Sequence, residues 1–307
     1  MYLSIKNLFK KYGENTVLNG LNFEVAKGEI TSIVGSSGSG KTTLLKCISG
    51  VCELDKGEII LDSKKIQNLQ PNKRNISYVF QESPLFPHMN IIENILFNIE
   101  DFNKEKLNFL INKTQINHLI KRYPYEISGG ENQRVSVVRS LIRNPSLLLL
   151  DEPFSNLDHT IKHYTKELVY EIIKKTNTTT LIVNHDSQES LEISDKILVL
   201  DKTTNNILDT PFNIYKDPKS LEIARLFGEI NFINTGVDQF YCRPQDISIV
   251  NRSKIEAKVI SSVFLGMYYK LKVRVKSEEV SIYSNKSITE NTIIYIKVNP
   301  SSKLYFN

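Results

Sequence analysis

The sequence predicts an α/β domain built on a parallel sheet and carrying a helical subdomain, followed by a small all-β domain. Three observations carry that expectation. A glycine-rich stretch, Gly35-Ser36-Ser37-Gly38-Ser39-Gly40-Lys41-Thr42, lies between a strand signal at Glu29–Val34 and a helix signal at Thr43–Ile48. A run of leucines, Leu147 to Leu150, stops abruptly at Asp151-Glu152, as expected of a strand buried on both faces of a parallel sheet. Beyond about residue 230 the texture changes to short alternating segments, of which Tyr269–Val275 is the most regular.

A chain of 307 residues has room for about two domains and an ample core. Its 40% hydrophobic and 24% charged residues are ordinary for a soluble globular protein, so composition excludes the exotic classes. A net charge of +5 suits a polyphosphate ligand or an anionic surface and demands neither. The three cysteines, Cys47, Cys52 and Cys242, are odd in number and form no C-x-x-C pair. That argues against a disulfide framework or zinc site and for a reduced cytosolic protein. No apolar run approaches the ~18 residues of a membrane helix, and the N-terminus opens directly into strand-like sequence without a signal peptide. The chain is expected to meet a membrane only through a partner.

Residues 1 to about 28 read as an antiparallel start, with Tyr12 beside the Gly13 turn, where an exposed ring could stack on a base. The Gly35–Thr42 stretch fits G-x-x-x-x-G-K-[ST], the phosphate-binding loop of the P-loop NTPases. Successive amides and a helix N-terminus there make an anion nest. Lys41 is expected to reach the β- and γ-phosphates, and the Thr42 hydroxyl to ligate Mg²⁺. The next strand, Ile76–Phe80, ends at Gln81, a polar amide at a position where open α/β sheets contact ligands. Ile91 to Tyr125 reads as helical, with Ile95, Ile99, Leu107, Leu110 and Ile111 at helix-like spacing, and Pro124 ends it.

Ile127-Ser128-Gly129-Gly130-Glu131 then opens a helix in the form of a capping box, Ser128 with Glu131 three residues on. The two glycines weaken a helix start but leave its amides unshielded, a second anion-binding end. At the end of the leucine strand, Asp151 and Glu152 would be costly without a cation or hydrogen-bond partners. One can serve a Mg²⁺ shell and the other can polarise an attacking water. Asp158 closes a short loop before a helix expected to bury Ile161, Tyr164, Leu168 and Ile172. Thr180–Asn184 is a further strand, ending at His185. A lone histidine is more often a core residue, but strand tips carrying Gly35, Gln81, Asp151 and His185 together make a site.

Together these motifs resemble the ATP-binding subunit of an ABC transporter, closely over residues 1–230 and weakly beyond. The resemblance implies an ABC ATPase domain at 1–230 with a helical subdomain at about 88–143, and an OB-like, TOBE-type β domain at 231–307. It implies ATP and Mg²⁺ as ligands. Tyr12 would stack on adenine; Lys41 and the amides of Gly35 to Thr43 would hold the phosphates; Thr42, Gln81 and Asp151 would serve the metal. Glu152 would be the catalytic base, and His185 would contact the γ-phosphate. Ser128, Gly129, Gly130 and Glu131 would face the nucleotide held by a second copy in a head-to-tail homodimer, with Asp158 coupling the two sites.

The signature of this family usually reads L-S-G-G-Q, whereas Ile127 and Glu131 stand here. The added carboxylate is expected to leave closure intact and to weaken ATP affinity. Pro84-Leu85-Phe86-Pro87-His88-Met89 and Ile214-Tyr215-Lys216-Asp217-Pro218 resemble segments of importer ATPases serving ferric iron, polyamine, sulfate or sugar permeases. So do Arg243-Pro244-Gln245-Asp246 and Phe264-Leu265-Gly266, although the β domain and the 91–126 segment are both short. The expected function is therefore ATP hydrolysis driving uptake, with ferric iron or polyamine as cargo. The permease would dock after Gln81, an external binding protein would act at one remove, and the subunit would lie on the cytoplasmic face of the inner membrane. No nucleic-acid partner is expected. The alternative, an ABC-type ATPase working on nucleic acid or ribosomes, fits less well because such proteins usually carry two phosphate loops.

Overall fold

The computed structural model describes residues 1–306 except Ser83, His185 and 202–205, and except the side chains of His159 and Thr160. The chain begins with alternating residues that form β1 (Leu3–Tyr12) and, beyond the Gly13 turn, β2 (Asn15–Val25). Leu3, Ile5 and Leu8 face Val25, Phe23 and Leu21 across this antiparallel pair. The next strand, β3 (Ile30–Val34), leaves for a second sheet and runs through the glycine-rich loop into α1 (Lys41–Ser49). The first sheet is completed by β4 (Lys56–Leu61) and the short β5 (Lys64–Lys65), in the order β2-β1-β4-β5.

The second sheet adds β6 (Ile76–Val79), β7 (Leu147–Asp151), β8 (Thr180–Val183), β9 (Lys196–Val199) and β10 (Ile207–Asp209). Its order is β10-β9-β3-β8-β7-β6, and all neighbours run parallel except the β10–β9 pair at one edge. The leucine run explains how both faces are covered. Leu147 and Leu149 join Leu44, Leu45 and Ile48 of α1 in one core. Leu148 and Leu150 turn the other way and join a core built largely from helices.

Those helices are α2 (Ile91–Leu96), α3 (Lys104–Lys113), α4 (Gly129–Leu141), α5 (His159–Lys175) and α6 (Ser187–Ile193). A buried asparagine organises the entry to α2. Asn94 Oδ1 accepts the Phe86 N–H at 2.7 Å, and its Nδ2 donates to the carbonyls of Phe86, Met89 and Asn90 at 3.0–3.1 Å. Truncating it strands several buried polar groups at once. Asn94→Ala is expected to cost about 2 kcal/mol in urea unfolding and to raise proteolysis between Pro84 and Met89. Wild-type stability and cleavage would refute this account of the loop.

The helix after Asp158 forms as expected but turns a different face inward. Thr165, Val169, Ile172 and Ile173 are buried, whereas Ile161 and Tyr164 are 40% and 42% exposed. The sequence reading was off by part of a turn because Ile161 and Tyr164 are taken up locally by α4. A Cβ on Gly130 would come within 2.4 Å of Ile161 Cγ2, and the Arg134 guanidinium lies over the Tyr164 ring at 5.8 Å.

The chain divides into two compact units, Met1–Pro211 and Phe212–Asn307. The boundary of compactness precedes the change of texture near residue 230 because α7 (Pro211–Lys216) and α8 (Leu221–Leu226) are tied to the strands that follow. Arg243 is 3% exposed, lies 3.9 Å over the Tyr215 ring and donates to the carbonyls of Ala224 and Phe227. A ribbon of β11 (Asn231–Asn234) and β12 (Gln239–Cys242) precedes a five-stranded antiparallel sheet. That sheet comprises β13 (Ile247–Val250), β14 (Ile255–Phe264), β15 (Tyr269–Val275), β16 (Glu278–Ser284) and β17 (Ile293–Val298), in the order β13-β17-β14-β15-β16. Among the described residues no helix is long and apolar enough to cross a membrane.

Candidate functional site

The strand order decides what can meet. The carboxyl ends of β3, β8, β7 and β6 are successive neighbours in one parallel row, which aligns Gly35, Asp151 and Gln81 on a single edge. His185, expected on the same edge after β8, lies outside the described residues.

The loop from Gly35 to Thr42 wraps tightly onto itself. The Ser39 N–H donates to Ser36 O at 3.1 Å, and Leu44 N–H opens the helical ladder by bonding Gly40 O at 2.8 Å. Two of its glycines have no room for a side chain. A Cβ on Gly35 would meet Leu200 O at 2.4 Å and Ser39 Oγ at 2.6 Å. Gly40 sits at φ 99° and lies against Val17 and Leu18, so a Cβ there would be both strained and crowded at 2.9 Å. No side chain caps α1, which leaves its first amides to whatever enters the loop. Ser39 Oγ is buried without a hydrogen-bond partner, against Gly35. Ser37, Gly38 and Thr43 complete the stretch.

Lys41 Nζ donates to Gly35 O at 2.9 Å and to Ser36 O at 3.0 Å, which fixes the amine at the mouth of the loop. Burial pulls its pKa below that of a free lysine, and the carboxylates of Glu152 and Asp151 oppose that pull. Asp151, 6% exposed, accepts from Thr42 Oγ1 at 3.0 Å and from the Tyr78 hydroxyl at 2.7 Å. Each oxygen of the buried carboxylate thus holds one donor, and burial together with Asp151 pushes the Tyr78 phenol well above its ordinary range. Glu152 takes a left-handed backbone, φ 46°, with its N–H bonded to Val183 O at 2.9 Å. Ser155 joins two site residues: its Oγ donates to Glu152 O at 3.0 Å and accepts from Gln81 Nε2 at 3.1 Å. Thr42, Asp151 and Gln81 therefore present a set of hard oxygen donors suited to a magnesium ion beside the cradle.

Tyr12 stands on the β1–β2 hairpin, 51% exposed, with Lys10 Nζ 5.3 Å from its ring centre. Its hydroxyl lies 3.3 Å from Cys52 Sγ, just past the end of α1. The signature stretch builds a second, separate end. Ser128 caps α4 in the expected box with Glu131, and Gly129 and Gly130 leave the first turn bare. A Cβ on Gly130 would press on the Ile161 side chain of α5, so glycine gives the two helices room to approach. Burial opposes ionisation of Glu131, but the Ser128 amide and hydroxyl, His118 and Arg134 outweigh it and hold the carboxyl below its usual range. The Asp158 carbonyl starts α5 by accepting the Lys162 N–H at 2.7 Å.

Tyr78, Ser155 and His118 were missed from sequence. Tyr78 is in phase with Ile76 and Phe80 and reads as one more apolar position until β6 is placed beside β7. His118 comes from a span with no motif.

A groove of about 450 Å³ opens beyond Gln81, lined by Phe80, Pro84, Leu85, Phe86, Phe97 and Arg139. Arg139 spans it, donating to Pro84 O at 3.0 Å.

A family model described as ABC transporter matches residues 18–155. A spermidine/putrescine import ATP-binding protein PotA from Clostridium acetobutylicum is 35% identical over 97% of this chain and 94% of its own length. One of the same name from Clostridium novyi is 32% identical over 97% and 95%. A sulfate/thiosulfate import ATP-binding protein CysA from Mesostigma viride is 33% identical over 99% and 98%. Among solved structures, an ATP-binding cassette of an ABC transporter in its ADP conformation matches with TM-score 0.62 and 29% identity, covering 73% of this chain and 98% of that one. A dimeric cassette in a post-hydrolysis state, bound to ADP and Pi, matches with TM-score 0.58 and 26% identity, covering 68% and 98%.

Proposed function

The chain belongs to the ABC transporter family of ATP-binding proteins, and from that premise we propose a motor subunit of a polyamine importer. It is an ATPase of the importer group, and subunits of this kind work with membrane permeases. Of the two cargoes suggested by the sequence, polyamine is the one these relatives name. The observation that carries the reading is the Thr42–Asp151 hydrogen bond of 3.0 Å, which joins the phosphate loop to the acidic strand tip.

In this reading Tyr12 stacks on adenine, while the loop amides, Ser39 and Lys41 take the phosphates. Thr42, Gln81 and Asp151 hold Mg²⁺, which would neutralise phosphate charge during transfer. Glu152 draws a proton from the attacking water, and His185 contacts the γ-phosphate. Ser128 and Gly130 face the nucleotide of a second copy, and Asp158 links the paired sites. The groove after Gln81 receives the permease, which places the subunit on the cytoplasmic face of the inner membrane.

The test is co-purification with a permease and reconstitution in vesicles containing ATP. Spermidine or putrescine with the cognate binding protein should raise ATP turnover and accumulate inside. Stimulation by sulfate and not by polyamine would overturn the cargo assignment. Tyr12→Ala is expected to weaken ATP binding at least about fivefold, the lower end of base–aromatic stacking at about 1–3 kcal/mol, with Tyr12→Trp retaining it. Calorimetric titration checks this, and equal affinities would remove Tyr12 from the site.

A further inference from the structure

The ladders of β1 grow irregular toward Tyr12. Pairing with β2 shifts register between Leu8 and Lys10 and again between Lys10 and Lys11, just short of the Tyr12↔Asn15 pair. On the other side, pairing with β4 ends at Phe9↔Lys56. Beyond that point the β1 backbone still turns polar groups toward the β4 side. Asp55, the residue ahead of β4, takes them. Its N–H donates to Phe9 O at 3.0 Å, and its Oδ2 accepts the Lys11 N–H at 2.6 Å. Its Oδ1 accepts from Lys10 Nζ at 3.3 Å, and that ammonium stands 5.3 Å from the centre of the Tyr12 ring. A carboxylate thus extends the ladder past the last strand pair and ties down the three residues that lead into Tyr12. The Lys11 N–H, with Lys10 behind it, keeps this carboxyl below its usual range. Three residues back in the same turn, Cys52 Sγ lies 3.3 Å from the Tyr12 hydroxyl.

We propose, on the reading that Tyr12 stacks on adenine, that Asp55 is a positioning residue for the base: by holding Phe9, Lys10 and Lys11 it fixes the Tyr12 ring in the attitude at which the base stacks. The effect is one of preorganisation. Tyr12 is 51% exposed on its hairpin, and a ring that must be ordered on binding gives back part of its stacking energy. With Asp55 in place, that ordering is completed on folding. Its influence is confined to the base end of the nucleotide. The phosphate loop, at the opposite end of α1 from Cys52, is held by its own bonds, Ser39 N–H to Ser36 O and Leu44 N–H to Gly40 O.

The test compares Asp55→Ala and Asp55→Asn in the full chain by calorimetric titration with ATP and, separately, with inorganic tripolyphosphate, which has no base. Asp55→Ala should weaken ATP binding about threefold, as for the net loss of one hydrogen bond, and leave tripolyphosphate binding unchanged. Asp55→Asn keeps an oxygen for the Lys11 N–H and should bind ATP within about twofold of the parent. In a chain already carrying Tyr12→Ala, Asp55→Ala should weaken ATP binding no further. The Asp55 side chain is 43% exposed, so its truncation leaves no void in the core. Parent-like ATP affinity in Asp55→Ala would overturn the proposal. So would an equal loss for ATP and tripolyphosphate, or the same loss with and without the Tyr12 ring, since either marks a general disturbance. If Tyr12→Ala alone binds ATP as the parent does, the stacking reading fails and takes the proposal with it.

Discussion

Glu152→Gln is expected to lower ATP turnover by about a thousandfold, the middle of the range for loss of a general base, while ATP still binds and a nucleotide-bound dimer accumulates. The substitution keeps shape and removes only the charge that can accept a proton. Its backbone is fixed from both sides, by Val183 O on the N–H at 2.9 Å and by Ser155 Oγ on the carbonyl at 3.0 Å. A non-glycine residue at φ 46° costs conformational energy, and such strain survives where surrounding bonds over-determine it. The turn thus aims the side chain from a rigid base, and glutamine inherits the same aim. Phosphate release in steady state and size-exclusion chromatography with ATP give the two readouts. A loss of less than tenfold would take the proton-accepting role away from Glu152.

Arg74→Ala is expected to destabilise the first compact unit by about 3 kcal/mol, as when several buried acceptors lose a charged donor together. Arg74 is 6% exposed, and its Nη1 donates to Cys47 O and Ile48 O, each at 2.9 Å. Its Nε and Nη2 donate to Leu69 O and Gln67 O at 2.9 and 2.8 Å. The guanidinium thus closes the C-terminal end of α1, where the helix dipole favours a cation, and staples it to the strand connection beyond. Gly50 makes room for it, since a Cβ there would lie 2.6 Å from Arg74 Cζ. Lysine cannot reproduce a planar fork with this many partners, so Arg74→Lys should recover only part of the loss. Urea unfolding measures both variants. A change below about 1 kcal/mol for Arg74→Ala would show that the carbonyls find water instead.

Much of the first unit can be read from the chain because its signals are local. The phosphate loop is contiguous, the capping box spans four residues, and each strand tip announces itself as an apolar run ending in a polar residue. Tertiary partners are a different matter. Tyr78 becomes a ligand of Asp151, and Arg74 a helix cap, only when segments tens of residues apart are brought together. The face of α5 was misjudged for the same reason, since Ile161 and Tyr164 look like core until Gly130 and Arg134 are seen to occupy them. The short strands Asn231–Asn234 and Ile247–Val250 also went unread, being four residues each and held by pairing rather than by their own alternation.

Because Gly35, Gln81 and Asp151 hang from three parallel strands of one sheet, β3, β6 and β7, hydrogen bonding within that sheet sets their spacing more than the spans that join the strands. Such spans are free to lengthen or contract over evolutionary time without disturbing the chemistry at the tips. A change of length between Ile91 and Glu126 would therefore reshape the helical face of this unit while the strand tips stay where the sheet holds them.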